Sequence, residues 1–267
     1  TNLILQEFYS DNLDATLASL VEGFTINGYT PLYIGERINS VQNEYSDNYS
    51  VIKDCNMIIG EMKDTKSELA KQLLGTAWAI RSICYYNLLI RFCEPYNPIS
   101  AEDKLGLPLI DRFDMEAKPS RSDLKTTVSF IEEGFKNAIR YDISDTDYIF
   151  TSDVAKAYLT KLYFWTQQWE KAIQYAEELL SKYPMLEANQ YEEVMQNKFT
   201  QSSNFILNPY TSESSLGSMA VTNAFSDSKT RPVSREMAES FSEKNDDIRY
   251  TVAFNKKRVN NKTILFR

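Results

Sequence analysis

Aromatic rings and planar hydrogen-bonding side chains alternate in two stretches of this 267-residue chain. In the first, Tyr29, Tyr33, Arg37, Asn39, Gln42, Asn43, Tyr45 and Asn48 follow one another; in the second, Asn208, Tyr210, Asn223, Phe225 and Arg231 do so. An aromatic face covers apolar C–H surface, while Asn, Gln and Arg offer donors and acceptors in a plane. A sugar ring asks for that combination, because its apolar C–H faces are edged with hydroxyls. Each tyrosine taken alone has a plainer use, half-burying to pin its loop on the scaffold.

Other chemistries are thinly supplied. The chain contains no histidine, the usual metal ligand and the usual general base near neutral pH, so histidine triads and histidine-based metal sites are excluded. Carboxylate-pair catalysis of the glycosidase type stays formally open among 37 acidic residues, although an acid on a solvated helix face is the default. Cys55, Cys84 and Cys93 are odd in number and have neither disulfide-framework nor zinc spacing, so buried free thiols are expected. Asp103, Asp111 and Asp114 share a segment but lack the twelve-residue calcium-loop spacing, and a solvated loop is the expectation there. No cofactor and no metal is expected.

Composition sets the outer limits. With 43% hydrophobic and 13% aromatic residues, the chain can bury a real core as one large or two small domains. A formal charge of −8 with no basic run longer than Lys256-Lys257-Arg258 argues against binding nucleic acid or an anionic membrane surface. No window reaches 18 apolar residues, and the first residues lack a basic region. Neither a membrane span nor a signal peptide is therefore expected within the sequence.

The elements that would position the two stretches are mostly helical. Leu162 to Pro184 reads as the second half of a tetratricopeptide-type hairpin. Its first helix ends in Leu159, Leu162 and Tyr163, and Thr166 to Gln168 form the turn. The second helix runs through Ala172, Ala176 and Leu179 to Pro184. Small alanines allow close helix approach, Tyr163 and Trp169 fill the gap, and proline stops the helix because it lacks a donor N–H. Trp78, Trp165 and Trp169 are accordingly expected in the core. Apolar spacing predicts further helices over about 12–24, 49–63 and 66–92, and from a Ser122 or Asp123 cap to Arg140. Segments 25–48 and 94–120 read as long connections. Beyond Pro184, Phe205-Ile206-Leu207 and Thr251-Val252-Ala253-Phe254 read as short strands, with a helix near 234–241 between them. Arg81 is expected to be a structural residue, needing a carboxylate partner if buried. The fold class is thus mainly α, with tetratricopeptide-like helical hairpins, long loops and a few short strands. It forms one domain over 1–267, with a scaffold to about 184 and a loop-rich remainder from 185.

Several segments, in order, resemble the SusD/RagB family of outer-membrane glycan-binding lipoproteins of Bacteroidetes. Gly75, Ala77, Ile80-Arg81-Ser82, Tyr85-Tyr86, Leu88 and Phe92 are similar to the family's GEAxFLRAxxYFxLxxxFG helix. Gly106-Leu107-Pro108-Leu109 resembles its GLPL loop, and Pro119, Ser120, Arg121, Val128, Phe130-Ile131 and Ala138 its next helix. Tyr45, Tyr49, Ile52, Cys55 and Asn56 follow its inner-helix pattern, and Asp246-Asp247-Ile248-Arg249 its late D-x-R element. Trp78, Ser82 and Phe92-Cys93 depart from the pattern, and the family's later Arg-Leu-Ala-Glu helix has no counterpart before Arg267.

The resemblance implies a non-catalytic, outward-facing outer-membrane lipoprotein that binds oligosaccharide and assists a TonB-dependent SusC-like transporter. Its lipid anchor would lie upstream of Thr1, since no cysteine precedes Cys55. In the family the glycan is held mainly by loops outside the repeat helices, which makes Tyr33, Arg37, Asn39, Tyr45, Asn48, Tyr210 and Arg231 the expected ligand-binding residues. Two rivals remain: a tetratricopeptide adaptor that binds a protein or peptide partner, and a carboxylate-pair glycosidase.

Overall fold

Two aromatic residues one helical turn apart, Tyr45 and Tyr49, help explain why the helix expected from residue 49 begins earlier than its sequence advertises. Their ring centroids lie 4.9 Å apart, and Tyr45 meets Phe92 edge-on at 5.1 Å. That contact helps hold Asn39–Met62 as one helix, α1, so 39–48 is helical where a connection was expected. The weak helix preference of its Asn and Ser residues is overridden by tertiary packing. The computed structural model describes residues 39–64, 66–114, 116–144, 150–191, 205–207, 233–241, 246–259 and 262–266. The helix expected over 12–24 lies outside them.

The chain folds as two compact units. One unit comprises 43–185 and 201–209. In it α1 is followed by α2 (Glu68–Phe92), β1 (Leu105–Pro108), β2 (Arg121–Asp123), α3 (Leu124–Arg140), α4 (Ser152–Trp165) and α5 (Trp169–Lys182). Helix α2 is apolar around most of its circumference because it is central, packing on α3, α4 and β1. Leu88, Leu89, Ile131, Phe135, Leu159 and Tyr163 meet in one continuous core. Fully burying each such side chain contributes about 1.5–3 kcal/mol.

Helix α3 starts where the sequence says it should. The Asp123 carboxylate accepts the Thr126 N–H at 2.7 Å, satisfying one of the unpaired donors of the first turn. Leu124, Val128, Ile131, Phe135 and Ala138 then recur at helical spacing, and all are buried. Just before it, the expected 94–120 loop contains a strand: β1 pairs antiparallel with β2, placing Leu105 opposite Asp123 and Pro108 opposite Arg121. Proline at the last position of β1 conceals the strand from pattern reading.

The α4–α5 hairpin matches the tetratricopeptide expectation closely. Gln167 takes a left-handed conformation, φ 63°, and the Thr166 hydroxyl donates to the Leu162 carbonyl at 2.9 Å, closing α4. Ala172 and Leu179 are buried against it. Trp165 and Trp78 pack on the core as partly buried rings. Trp169 does not conform: it is 48% exposed, edge-on at 5.3 Å to Phe164, itself 66% exposed. The apolar arc of α5 is wider than its contact with α4, and Trp169, Ile173 and Leu180 fall on the uncovered part.

Between α3 and α4, the Tyr163 hydroxyl donates to Glu132 Oε1 at 2.9 Å, and Lys136 reaches the same oxygen at 2.6 Å. Burial alone would raise the Glu132 pKa, but these hydrogen bonds and the charges of Lys136 and Lys171 outweigh it and hold the carboxyl below its usual range. A depressed carboxyl contributes stability above its unfolded pKa of about 4.3 and loses it as pH falls through the lower folded value. Glu132→Gln should therefore cost about 1–2 kcal/mol at neutral pH. The gap from wild type should close as pH is lowered from about 5 towards 3. Urea midpoints measured across that range test this; a gap that stays constant with pH would remove the charge from the explanation.

The second unit comprises 1–42, 186–200 and 210–267. In its described part α6 (Arg235–Glu239) is capped by Ser234, whose hydroxyl accepts the Met237 N–H at 3.0 Å. Helix α7 (Ile248–Ala253) is followed by the antiparallel pair β3 (Asn255–Val259) and β4 (Lys262–Phe266). The strand expected at Thr251–Phe254 is thus helical to Ala253. Asp247 accepts the Arg249 N–H at 2.9 Å and starts a helix that β-branched residues alone would not suggest. Val233, Tyr250 and Phe254 form its small core with Phe241. Residues 205–207 form no strand; Ile206 and Leu207 pack on the larger core of the first unit.

Candidate functional site

Helix α1 offers one face to the segment that leaves β1, and four side chains hold that segment in place. The Tyr49 hydroxyl donates to the Pro108 carbonyl at 2.9 Å, and Asn56 Nδ2 donates to the Ile110 carbonyl at 2.9 Å. The Tyr85 hydroxyl donates to the same Ile110 carbonyl at 3.2 Å and accepts the Ile110 N–H at 2.8 Å. Arg81 completes the set, donating to Asn56 Oδ1 at 2.7 Å and, more distantly at 3.4 Å, to the Asp111 carbonyl.

Arg81 is buried, 3% exposed. Its guanidinium lies 4.1 Å from the Trp78 ring centroid and 5.3 Å from that of Phe130. The expectation of a carboxylate partner is not met: among the described residues its hydrogen bonds go to an amide and a carbonyl. Two aromatic faces and two neutral oxygens make the direct contacts, and the Asp111 carboxylate supports the charge only through space. Burial still pulls the Arg81 pKa below its ordinary value. The Tyr49 and Tyr85 phenols are pushed up by burial, Tyr85 to about 12. All three act as fixed donors in neutral solution.

Between α1 and the pinned segment lies an open cleft of about 480 Å³. Tyr49, Lys53 and Met57 line it from the helix, and Ile110, Arg112, Phe113 and Asp114 from the segment. Phe113 and Met57 are 46% and 44% exposed. A partly apolar concavity with a few polar groups at its edge is the usual form of a small-ligand site.

Of the residues expected from sequence to bind ligand, Tyr45 and Asn48 lie on α1, and Asn39 stands in its first turn by its backbone. Tyr45 is half-buried on Tyr49 and Phe92. Asn48 Nδ2 donates to the Glu44 carbonyl one turn back at 2.7 Å. Tyr33, Arg37, Tyr210 and Arg231 lie outside the described residues. The cleft residues Lys53, Met57, Arg112 and Phe113 escaped sequence reasoning, because they come from two segments far apart and share no spacing. Among the described residues no group of His, Cys, Asp and Glu is placed to hold a metal ion. No helix there is long and apolar enough to cross a membrane.

A stacked-helix scaffold of tetratricopeptide type, with an aromatic and cationic cleft at the edge of α1, defines a helical-repeat protein with the form of a binding module. The chain belongs to the SusD-like family whose model, described as starch-binding and associating with the outer membrane, matches residues 7–164, more than half of its length. Its fold is similar to that of a SusD superfamily protein from Bacteroides vulgatus at 17% identity and TM-score 0.74, covering 99% of this chain and 66% of that one. A SusD superfamily protein from Bacteroides thetaiotaomicron gives 22% identity and TM-score 0.67 over 82% of this chain and 51% of that one. A laminarin-binding SusD-like protein gives 19% identity and TM-score 0.51 over 73% of this chain and 46% of that one. The chain therefore spans about half to two-thirds of the length of these structures. No curated protein sequence matches it significantly.

Proposed function

We propose that this chain belongs to a non-catalytic, cell-surface oligosaccharide-binding protein that serves glycan uptake beside a TonB-dependent SusC-like transporter. The membership of residues 7–164 in a family described as starch-binding and outer-membrane-associated carries this reading. The fold shared with a laminarin-binding SusD-like protein supports it. In this reading the protein is an outward-facing lipoprotein, and sugar is held by the rings, planar amides and guanidinium groups of Tyr33, Arg37, Asn39, Tyr45, Asn48, Tyr210 and Arg231. Stacking and hydrogen bonding need no general base, which accords with a chain lacking histidine.

The test is a glycan array followed by calorimetry on the best ligand. Tyr33→Ala and Tyr210→Ala should each weaken binding about tenfold or more, as loss of a tyrosine anchor does. Tyr45→Phe suits the third position, because Tyr45→Ala would also remove packing on Phe92. Released sugar from any bound glycan would overturn the non-catalytic assignment, and a wholly blank array the carbohydrate assignment. Co-purification of a TonB-dependent transporter with the chain from outer-membrane extracts tests the partnership; transporter-free material would count against it.

A further inference from the structure

We propose that the cleft between α1 and residues 110–114 accepts a carboxylated sugar residue, a hexuronate unit of an acidic oligosaccharide. This rests on the carbohydrate-binding reading and assigns a ligand class to a cleft which that reading does not use.

Size and shape come first. At about 480 Å³ the cleft falls in the roughly 300–1,000 Å³ range of small-molecule sites. Its apolar element is Phe113, exposed on the segment, facing Met57 on the helix. Phe113 makes no ring contact with any described aromatic residue, so its face is available for stacking on a pyranose.

The hydrogen-bonding inventory then selects the ligand. Lys53 and Arg112 are pure donors. The Tyr49 hydroxyl is already engaged with the Pro108 carbonyl, and Asp114 is the one acidic side chain in the lining. A donor-rich cleft calls for an acceptor-rich ligand, and a sugar carboxylate would meet both cations with charge-assisted hydrogen bonds, roughly twice as strong as those a hydroxyl makes.

The competing internal pairs are weak. Lys53 Nζ is 3.2 Å from Asp54 Oδ1, with both side chains more than half exposed. Arg112 Nη2 is 3.9 Å from Asp114 Oδ2, beyond hydrogen-bond range, with the arginine side chain 78% exposed. Exposed pairs of this kind contribute roughly 0–1 kcal/mol, so a ligand carboxylate can displace them. Behind the floor, the buried Arg81 is partly offset by the charge of the Asp111 carboxylate, so the excess at the cleft rests on Lys53 and Arg112. In a chain of formal charge −8, two cations to one acid in a cleft lining runs against the general surface.

The experiment is calorimetry with trigalacturonate and maltotriose at ionic strengths of about 20 and about 150 mM. Trigalacturonate should bind about tenfold more tightly than maltotriose at low salt, with the advantage shrinking at the higher salt. The Lys53→Gln/Arg112→Gln double variant should lose that advantage, and Phe113→Ala should weaken trigalacturonate binding. These side chains are exposed, so the variants should melt with wild type. The proposal is overturned if trigalacturonate binds no more tightly than maltotriose, or if its advantage survives the double variant. Retained binding of any neutral glycan, sensitive to Tyr33→Ala but indifferent to the cleft variants, would then leave the carbohydrate reading standing alone.

Discussion

Gly106→Ala should be among the most damaging single substitutions in the first unit, costing about 3 kcal/mol or more. A Cβ at this position would lie 2.0 Å from Thr127 Oγ1 and 2.5 Å from the Asp123 carbonyl oxygen. Neither atom can move cheaply. Thr127 Oγ1 donates to the Asp123 carbonyl at 2.9 Å and accepts the Leu107 N–H at 3.0 Å, so rotating it away leaves a buried N–H unpaired. The Asp123 carbonyl belongs to the residue that caps α3, so displacing it disturbs the cap. Urea denaturation of the variant should give a sharply lower midpoint with an unchanged slope. Adding Thr127→Ala should recover only part of the loss, because the backbone clash persists. A midpoint within about 0.5 kcal/mol of wild type would show that β1 and α3 are not held as tightly as the geometry implies.

Arg81 supplies the second large effect. Arg81→Ala removes the group stacked against Trp78 and Phe130 and leaves Asn56 Oδ1 without its donor. The combined cavity and unsatisfied acceptor should cost about 3–4 kcal/mol. Arg81→Met separates the two contributions, since a flexible thioether refills the space and removes the desolvated charge. It should cost no more than about 1–2 kcal/mol. Equal losses in the two variants would assign the whole effect to the hydrogen bonds, and none in either would refute a structural role for the buried cation. Thermal and urea unfolding in parallel provide the comparison.

How far the sequence foretold this fold depended on whether a signal was local. The Asp123 cap, the stripe Leu124-Val128-Ile131-Phe135 and the α4–α5 hairpin were readable because short-range spacing dictates them. The start of α1 was not, because Asn39 to Asn48 offers little intrinsic helix preference and its support includes Phe92, far along the chain. Thr251 and Val252 have the composition of a strand, yet Asp247 begins a helix over them. Trp169 was expected in the core and stands exposed on the apolar arc instead, because periodicity reports the width of an arc and not how much of it a neighbour covers. The family pattern located Arg81 and Tyr85 without revealing that both grip the segment after β1. The cleft was hidden for a related reason: Lys53 and Arg112 are brought together by those buried bonds.

Those bonds also divide the cleft by its freedom to change. The floor, from Pro108 to Asp111, is held through backbone carbonyls and one amide. Its position therefore depends on Tyr49, Asn56, Arg81 and Tyr85 and little on which side chains the floor itself presents. Arg112, Phe113 and Asp114 follow that anchored stretch as exposed residues. Substitution among them can re-tune what the cleft recognises while the helices stay as they are. Drift in ligand preference at this edge would carry almost no penalty in folding, which makes it a natural place for closely similar chains to diverge.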